Sequence, residues 1–193
     1  AITSLNFLTN VYSLKSGEEI LINGASGSLG VAAVQIAKSK GAIVTTVCST
    51  ANIEFVKSLG ADHVIDYRKE DFTQYSHRFD VVFDTVGKSS FSKCKRILRK
   101  KGVYMSPVLS LELMFQMMRT GIFGKKKAKF QATGLKKTPE LLELLAGLLD
   151  LSKEESFRMV VDKTYTLDEA KAAHEYIDGG HKRGNLVLTV AAD

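Results

Sequence analysis

The stretch Glu19-Ile20-Leu21-Ile22-Asn23-Gly24-Ala25-Ser26-Gly27-Ser28-Leu29-Gly30 decides how the rest of this 193-residue chain is read. Its first five residues are a short β-rich apolar run and predict a strand. A glycine turn, Gly24 to Gly30, follows at once. Leu29 to Lys40 then carries Val31, Val34, Ala37 and Lys38 at helical spacing, and Gly41 is placed to end that helix. Such a strand, turn and helix can grip a diphosphate. Gly27 lacks a Cβ, so backbone can approach the anion. Gly30 lets the helix pack closely on the strand. Ser26, Ser28 and Leu29 surround the first N–H groups of the helix, which offer free donors and a partial positive charge. A glycine triplet alone says little. A strand before it, a helix after it and a second strand at the right distance say more. Position 25 departs from the G-x-G-x-x-G spacing: it is Ala, with Gly one place earlier.

The same alternation recurs outward from this unit. Ile43 to Val47, nearly all β-branched, predicts a second strand, and Asn52 to Leu59 a second helix stopped by Gly60. His63 to Asp66 reads as a third strand, Asp80 to Asp84 as a fourth and Val103 to Ser106 as a fifth. A basic helix, Ser89 to Lys100, is expected between the last two, and Ala128 to Thr133 as a sixth strand. Thr138 to Leu151 reads as a Leu-rich helix. The tail differs: Met159 to Asp162, a helix from Leu167 to Asp178, and a strand at Leu186 to Val190. Strands alternating with helices predict a parallel sheet covered on both faces. The fold class is therefore α/β, a Rossmann-type doubly wound sheet with expected strand order 3-2-1-4-5-6.

Composition sets outer bounds. With 45% hydrophobic residues the chain suits one ordinary domain. No apolar stretch reaches the roughly 18 residues needed to span a bilayer, so no membrane partner is expected. The start, Ala1-Ile2-Thr3-Ser4-Leu5, shows no signal peptide and no initiator Met, which suggests a fragment or processed chain. Cys48 and Cys94 read as reduced thiols of a cytoplasmic protein. The net charge of +6 fits an anionic ligand, and nucleic acid equally. Basic runs occur at Lys93 to Lys101 and Lys125 to Lys129. They lack aromatic interleaving or a recognition motif, so they read as solvated faces and nucleic acid is not expected as a partner.

The end of the second strand bears on cofactor choice. NAD-selective folds place Asp or Glu there, on the ribose hydroxyls. Here the stretch is Val47-Cys48-Ser49-Thr50, with no carboxylate. Ser49 and Thr50 can donate to a 2′-phosphate, and Arg68 and Lys69, after the third strand, can add charge-assisted bonds. Arg68 reads equally as part of a solvated turn. Tyr67 can pack on adenine or simply cover the sheet end. The expected cofactor is NADP(H) rather than NAD(H).

Three segments carry a family resemblance: Ile22 to Gly30, then Gly60-Ala61-Asp62-His63-Val64-Ile65-Asp66-Tyr67, then Phe79-Asp80-Val81-Val82-Phe83-Asp84-Thr85-Val86-Gly87. They resemble the medium-chain dehydrogenase/reductase superfamily, in its quinone oxidoreductase and reticulon-4-interacting-protein-like branch. The tail, Tyr165 to Ala170 with Gly180 to Val187, resembles that family's C-terminus. The resemblance implies that Ser26, Ser28 and Leu29 line the pyrophosphate and that Ser49 and Tyr67 hold the 2′-phosphate end. It places Thr85 at the ribose and nicotinamide, Phe130 and Ala132 near the nicotinamide, and the loop His181-Lys182-Arg183 over the cofactor. Many members carry a phosphate-binding Lys early in the second helix, where this chain has Ile53. Members also begin with a GroES-like catalytic domain. The resemblance thus divides the chain into a linker helix (1–16) from that domain, a nucleotide-binding domain (17–155) and a C-terminal segment (156–193) returning to it. It further implies a homodimer formed across the last strand of the sheet.

The implied chemistry is hydride transfer from NADPH to a quinone, enone or related carbonyl acceptor, with no zinc required; the chain alone is expected to be inactive. Two Cys 46 positions apart and four scattered His show no ligand spacing, so no metal site is expected. No catalytic residue is assigned; Tyr104 and Ser106 are candidates by position alone. Met105, Met114, Met117 and Met118 with Leu111, Leu113 and Phe115 form an apolar stripe, read as core, a domain interface or a wall of the substrate pocket. Two other readings stay open. One is a non-catalytic NADP(H)-binding module. The other is part of a zinc-dependent alcohol dehydrogenase whose metal ligands lie elsewhere.

Overall fold

A run with three apolar residues between polar ends, such as Glu19–Asn23, is buried on both faces only if something covers each side. The computed structural model of the chain, which describes residues 1–132, 139–148, 157–180 and 182–190, places this run at the centre of a sheet. The strands are β1 (Glu19–Asn23), β2 (Ile43–Cys48), β3 (His63–Asp66), β4 (Phe79–Asp84), β5 (Leu98–Ser106) and β6 (Lys127–Phe130). Their order is β3-β2-β1-β4-β5-β6, and every pairing is parallel.

Alternation along each strand splits the core in two. Ile20, Ile22, Val44, Val81 and Phe83 face the layer built by α1 (Ile2–Asn6), the π-helical turn Phe7–Val11, α2 (Ser28–Ser39) and α3 (Ile53–Ser58). Leu21, Val47, Ile65, Val82 and Tyr104 face the other layer, with Phe91 of α4 (Phe91–Cys94) and Leu113 of α5 (Leu111–Phe123). Phe7 stacks on Phe83 with centroids 5.1 Å apart, both rings wholly buried. Burying each ring contributes about 1.5–3 kcal/mol. The first residues thus belong to this core: Leu5, Phe7 and Leu8 are buried in it, and Ser4 Oγ donates to Leu29 O at 2.8 Å.

Several expectations need correction. The basic helix expected at Ser89 to Lys100 is only the single turn α4, capped by Ser90, plus a 3-10 turn, Lys95–Ile97. Strand β5 starts at Leu98, which pairs with Phe79. Arg99 then reaches Asp80 at 2.5 Å and Glu19 at 2.6 Å, carboxylates at the starts of β4 and β1. Those long-range partners outweigh local helix propensity. Apart from Met105, which lies in β5, the apolar stripe lies on α5, N-capped by Ser110, a helix not named in the sequence reading. Only Met105 and Leu113 of the stripe are core. Leu111, Met114, Phe115 and Met118 face solvent, joined by Ile122. Strand β6 closes at Phe130, short of the expected Thr133, which lies outside the described residues. The Leu-rich helix is described as α6 (Pro139–Leu148).

The tail builds a second, smaller sheet. Strand β7 (Val161–Thr166), a 3-10 turn closed by a capping box between Thr166 and Glu169, α7 (Ala170–Asp178) and β8 (Asn185–Thr189) follow one another. Strands β7 and β8 pair in parallel as a two-stranded sheet of their own. Gly184 returns to the glycine turn: its N–H donates to Ser26 O at 2.9 Å, and it forms a parallel bridge with Gly27.

Candidate functional site

In an open parallel sheet a crevice forms at the carboxyl ends of the strands, where the strand order reverses. Here β1 lies between β2 and β4, and Asn23 sits in register with Val47 on one side and Asp84 on the other. A cleft of about 540 Å³ opens above these ends. It is lined by the glycine turn and the end of β2, by Tyr67 and Phe72 beyond β3, by Thr85 to Lys88 after β4, and by α7 and the tail loop. Among the described residues no carboxylate lines it, while two lysines, Lys88 and Lys182, do. Such a concavity favours an anion.

Two glycines in the turn have different tasks. A Cβ on Gly30 would lie 2.2 Å from Gly24 O and 2.5 Å from Ala25 Cα, so close packing of helix on strand excludes any side chain there. A Cβ on Gly27 would meet only Gly24 O, at 3.6 Å, an ordinary contact. Protein packing therefore places no demand on Gly27. What a side chain would occupy there is the cleft itself, beside the first turn of α2. Gly27 is the N-cap of that helix and supplies no capping side chain, so the N–H groups of Ser28, Leu29 and Gly30 have no acceptor within the helix. That arrangement is a cradle for a diphosphate.

The Ser28 hydroxyl donates to Gly184 O at 2.7 Å and accepts from the Lys182 ammonium, which also donates to Gly184 O at 2.8 Å. Burial pushes Lys182 below the ordinary lysine value, with Asp162 acting the other way. A partly desolvated ammonium beside a helix N-terminus favours an anion.

Asp84, at the end of β4, organises the neighbouring turn. Buried completely, it accepts from Asn23 Nδ2 (2.9 Å), the N–H groups of Val86 (3.2 Å), Gly87 (3.0 Å) and Ser89 (2.8 Å), and the Tyr104 hydroxyl (3.0 Å). Burial and the Asp84 charge push Tyr104 well above the usual phenol range. Ser106 is buried and accepts from Val108 N at 3.1 Å. The Tyr104 proton is thus committed to Asp84.

The residues anticipated from sequence divide as follows. Ser26, Gly27, Ser28, Leu29, Ser49, Tyr67, Thr85 and Lys182 come together around the one cleft. Thr85 faces it with its proton already given to Asn23 O at 2.7 Å, which leaves the oxygen to accept. Gly30 acts from beneath, by packing. Thr50 is turned away, donating to Asp66 at 2.5 Å, and Arg68 is exposed outside the lining. Phe130 is half-buried against the second core, and neither it nor Ala132 lines the cleft. Arg183 stands behind the lining, bonded to Asn52 and Ala51. His181 lies outside the described residues. Asn23, Asn52, Phe72, Lys88, Ile177 and Gly180 were not anticipated. For Lys88 the signal was present: it directly follows the Asp-Thr-Val-Gly turn.

Comparison with known proteins agrees with this geometry. Residues 59–188 match a family model described as zinc-binding dehydrogenase. The chain belongs to that family. Within it, the chain is a medium-chain dehydrogenase/reductase of the quinone oxidoreductase branch, as the resemblance implied. The mouse NAD(P)H oxidoreductase RTN4IP1, mitochondrial, is 33% identical over 90% of this chain and 48% of its own length. The quinone oxidoreductase of Coxiella burnetii superimposes with TM-score 0.85 at 31% identity, over 99% of this chain and 58% of that one. The Escherichia coli quinone oxidoreductase complexed with NADPH superimposes with TM-score 0.79 at 26% identity, over 97% and 61%. The chain thus spans about half the length of the curated relatives it matches. Since one relative is mitochondrial, reduced thiols do not single out the cytoplasm.

The zinc in the family description finds no fit here. Among the described residues no three His, Cys, Asp or Glu side chains gather to hold a metal ion. Cys48 and Cys94 are both buried free thiols, pushed up to about 11 and about 12, chiefly by burial. Among the described residues no helix is long and apolar enough to cross a membrane.

Proposed function

We propose that the chain is the nucleotide-binding half of an NADP(H)-dependent oxidoreductase that passes hydride to a quinone, enone or related carbonyl acceptor, without zinc. One observation carries the reading: the first turn of α2, whose N–H groups have no acceptor within the helix, borders a cleft that among the described residues is lined by two lysines and no carboxylate. The first turn of α2 and Lys182 would hold the diphosphate. Ser49, at the end of β2, would meet the 2′-phosphate, with Tyr67 and Phe72 beside the adenine. The oxygen of Thr85 would accept from a ribose hydroxyl. When bound, the nicotinamide supplies the hydride; this chain orients it and excludes water. The mouse relative is named for NAD(P)H, which supports a nicotinamide cofactor, and the Escherichia coli one was solved with NADPH, which supports the phosphorylated form.

Residues 1–16 would join a catalytic domain outside this chain, 17–155 form the nucleotide-binding domain, and 156–193 return to that catalytic domain. The catalytic domain lies outside this chain on this reading, so the chain alone would bind nucleotide without turnover. Acceptor, dimer and compartment belong to the whole protein and are proposed on the same basis.

Titration of the chain with NADPH and with NADH, followed by nicotinamide fluorescence, tests the reading. NADPH is expected to bind more tightly. Equal or tighter NADH binding overturns the cofactor assignment, and binding of neither overturns the function.

A further inference from the structure

We propose that Arg183 sets the preference for a 2′-phosphorylated nucleotide, by acting through Asn52 on Ser49. The inference rests on the NADP(H) reading and names a selecting residue that the reading leaves open. Ser49 is the cleft-lining hydroxyl at the end of β2. At the start of α3, Ile53 packs against the core and Glu54 follows it, while the one lysine of the helix, Lys57, pairs with Glu54. A cation arrives instead from the other end of the chain.

The Arg183 guanidinium donates from Nε to Asn52 Oδ1 at 2.6 Å and from Nη2 to Ala51 O at 2.7 Å. It also lies over the Phe55 ring, 6.0 Å from the centroid. Its backbone N–H is fixed at 2.9 Å to Asp162, which is held in turn by the Tyr176 hydroxyl. A guanidinium can only donate, so it fixes the flip of the Asn52 amide. Asn52 is buried, and its Nδ2 is thereby aimed at Ser49 Oγ, 3.2 Å away. Ser49, now accepting from Asn52, keeps its own proton for the cleft.

A hydroxyl presented as a donor, with a fixed positive charge one residue behind it, matches a phosphate oxygen better than a ribose hydroxyl. The nearby carboxylates are already occupied. Asp66 accepts from Thr50 and the Arg68 N–H, Asp162 from Tyr176 and the Arg183 N–H, and Glu54 pairs with Lys57.

The test compares 2′,5′-ADP with 5′-AMP, which differ only in the 2′-phosphate, by calorimetric titration of the 193-residue chain. Arg183→Gln is expected to weaken 2′,5′-ADP by roughly ten- to a hundredfold, the range for losing a hydrogen bond that involves a charged group. Binding of 5′-AMP should stay within about twofold, a change below the scale of one such bond. Asn52→Asp should act in the same direction with the arginine intact, because its carboxylate can accept from Arg183 but cannot donate to Ser49. Should Arg183→Gln fold poorly, Asn52→Asp decides alone. Equal weakening of both nucleotides would reduce Arg183 to an anchor for the tail and overturn the proposal, as would no change in either. A native chain that does not favour 2′,5′-ADP removes the NADP(H) reading itself. A native preference that survives both substitutions removes only the role of Arg183.

Discussion

Gly27→Ala and Gly30→Ala change the same atoms three residues apart, yet the structure assigns them opposite outcomes. At Gly27 the new Cβ meets one backbone oxygen at 3.6 Å, and φ is −79°, comfortable for alanine. As an N-cap, alanine is worse than glycine by about 1 kcal/mol. The stiffer unfolded chain returns about 0.4–1 kcal/mol. The two nearly cancel, so the melting temperature should move by less than about 4 °C, given roughly 2–4 °C per kcal/mol at this chain length. Nucleotide binding should nevertheless fall at least tenfold, since about 1.4 kcal/mol suffices and the Cβ stands where the diphosphate would approach. At Gly30 the Cβ lies 2.2–2.6 Å from backbone atoms of Gly24 and Ala25, which cannot swing aside as a side chain would. Overpacking of that kind costs about 3 kcal/mol or more, a melting point lower by roughly 6–12 °C. Thermal melts of both variants, paired with NADPH titrations, separate the two effects. A Gly27→Ala protein that binds NADPH like the native chain would refute the cradle, and a Gly30→Ala protein of native stability would refute the packing argument.

Three further outcomes follow from the same contacts. Tyr104→Phe removes one donor from the buried Asp84 carboxylate and should cost about 1–3 kcal/mol in urea unfolding; an unchanged midpoint would show that Asp84 is satisfied without it. Thr50, the largest influence on Asp66, holds that carboxyl below its ordinary 3.8. A folded pKa below the unfolded one gives stability that is present above pH 3.8 and lost as pH falls through the lower, folded value. Thr50→Val should therefore lower the melting temperature at pH 7 and hardly at pH 2, whereas equal losses at both would contradict the linkage. Finally, a bound diphosphate favours charged Lys182, so NADPH affinity should decline with rising pH before the ordinary lysine value of 10.5 is reached. Lys182→Met should flatten that decline, and identical alkaline profiles for variant and native chain would exclude Lys182 as its source.

What the sequence made legible was whatever neighbouring residues decide. β1 and β3 were expected with the bounds they have, because β-branched and apolar runs bracketed by turns leave little choice. The strand order followed from right-handed crossovers. The shortened α4 was not legible, since the Arg99 partners Glu19 and Asp80 lie far off in the chain. Helix α5 was obscured because its apolar residues do not mark a buried face: Leu111, Phe115 and Ile122 point outward, while Gln116 and Thr120 are buried. In the site, Ser49 and Tyr67 were found from their places at strand ends. Asn52 was not, because its orientation is imposed by Arg183 from 131 positions away. Thr50 and Arg68 were assigned from adjacency, and adjacency cannot reveal that the Thr50 side chain turns to Asp66.

The bridge between Gly27 and Gly184 joins the two ends of the chain at the spot where a ligand would sit. Seating of the tail and occupancy of the turn are then two equilibria sharing one set of atoms. Thermodynamic reciprocity requires that each strengthen or weaken the other by the same factor. A nucleotide that tightened this joint would also fasten β7 and β8 in place, so the order of that pair would report on occupancy.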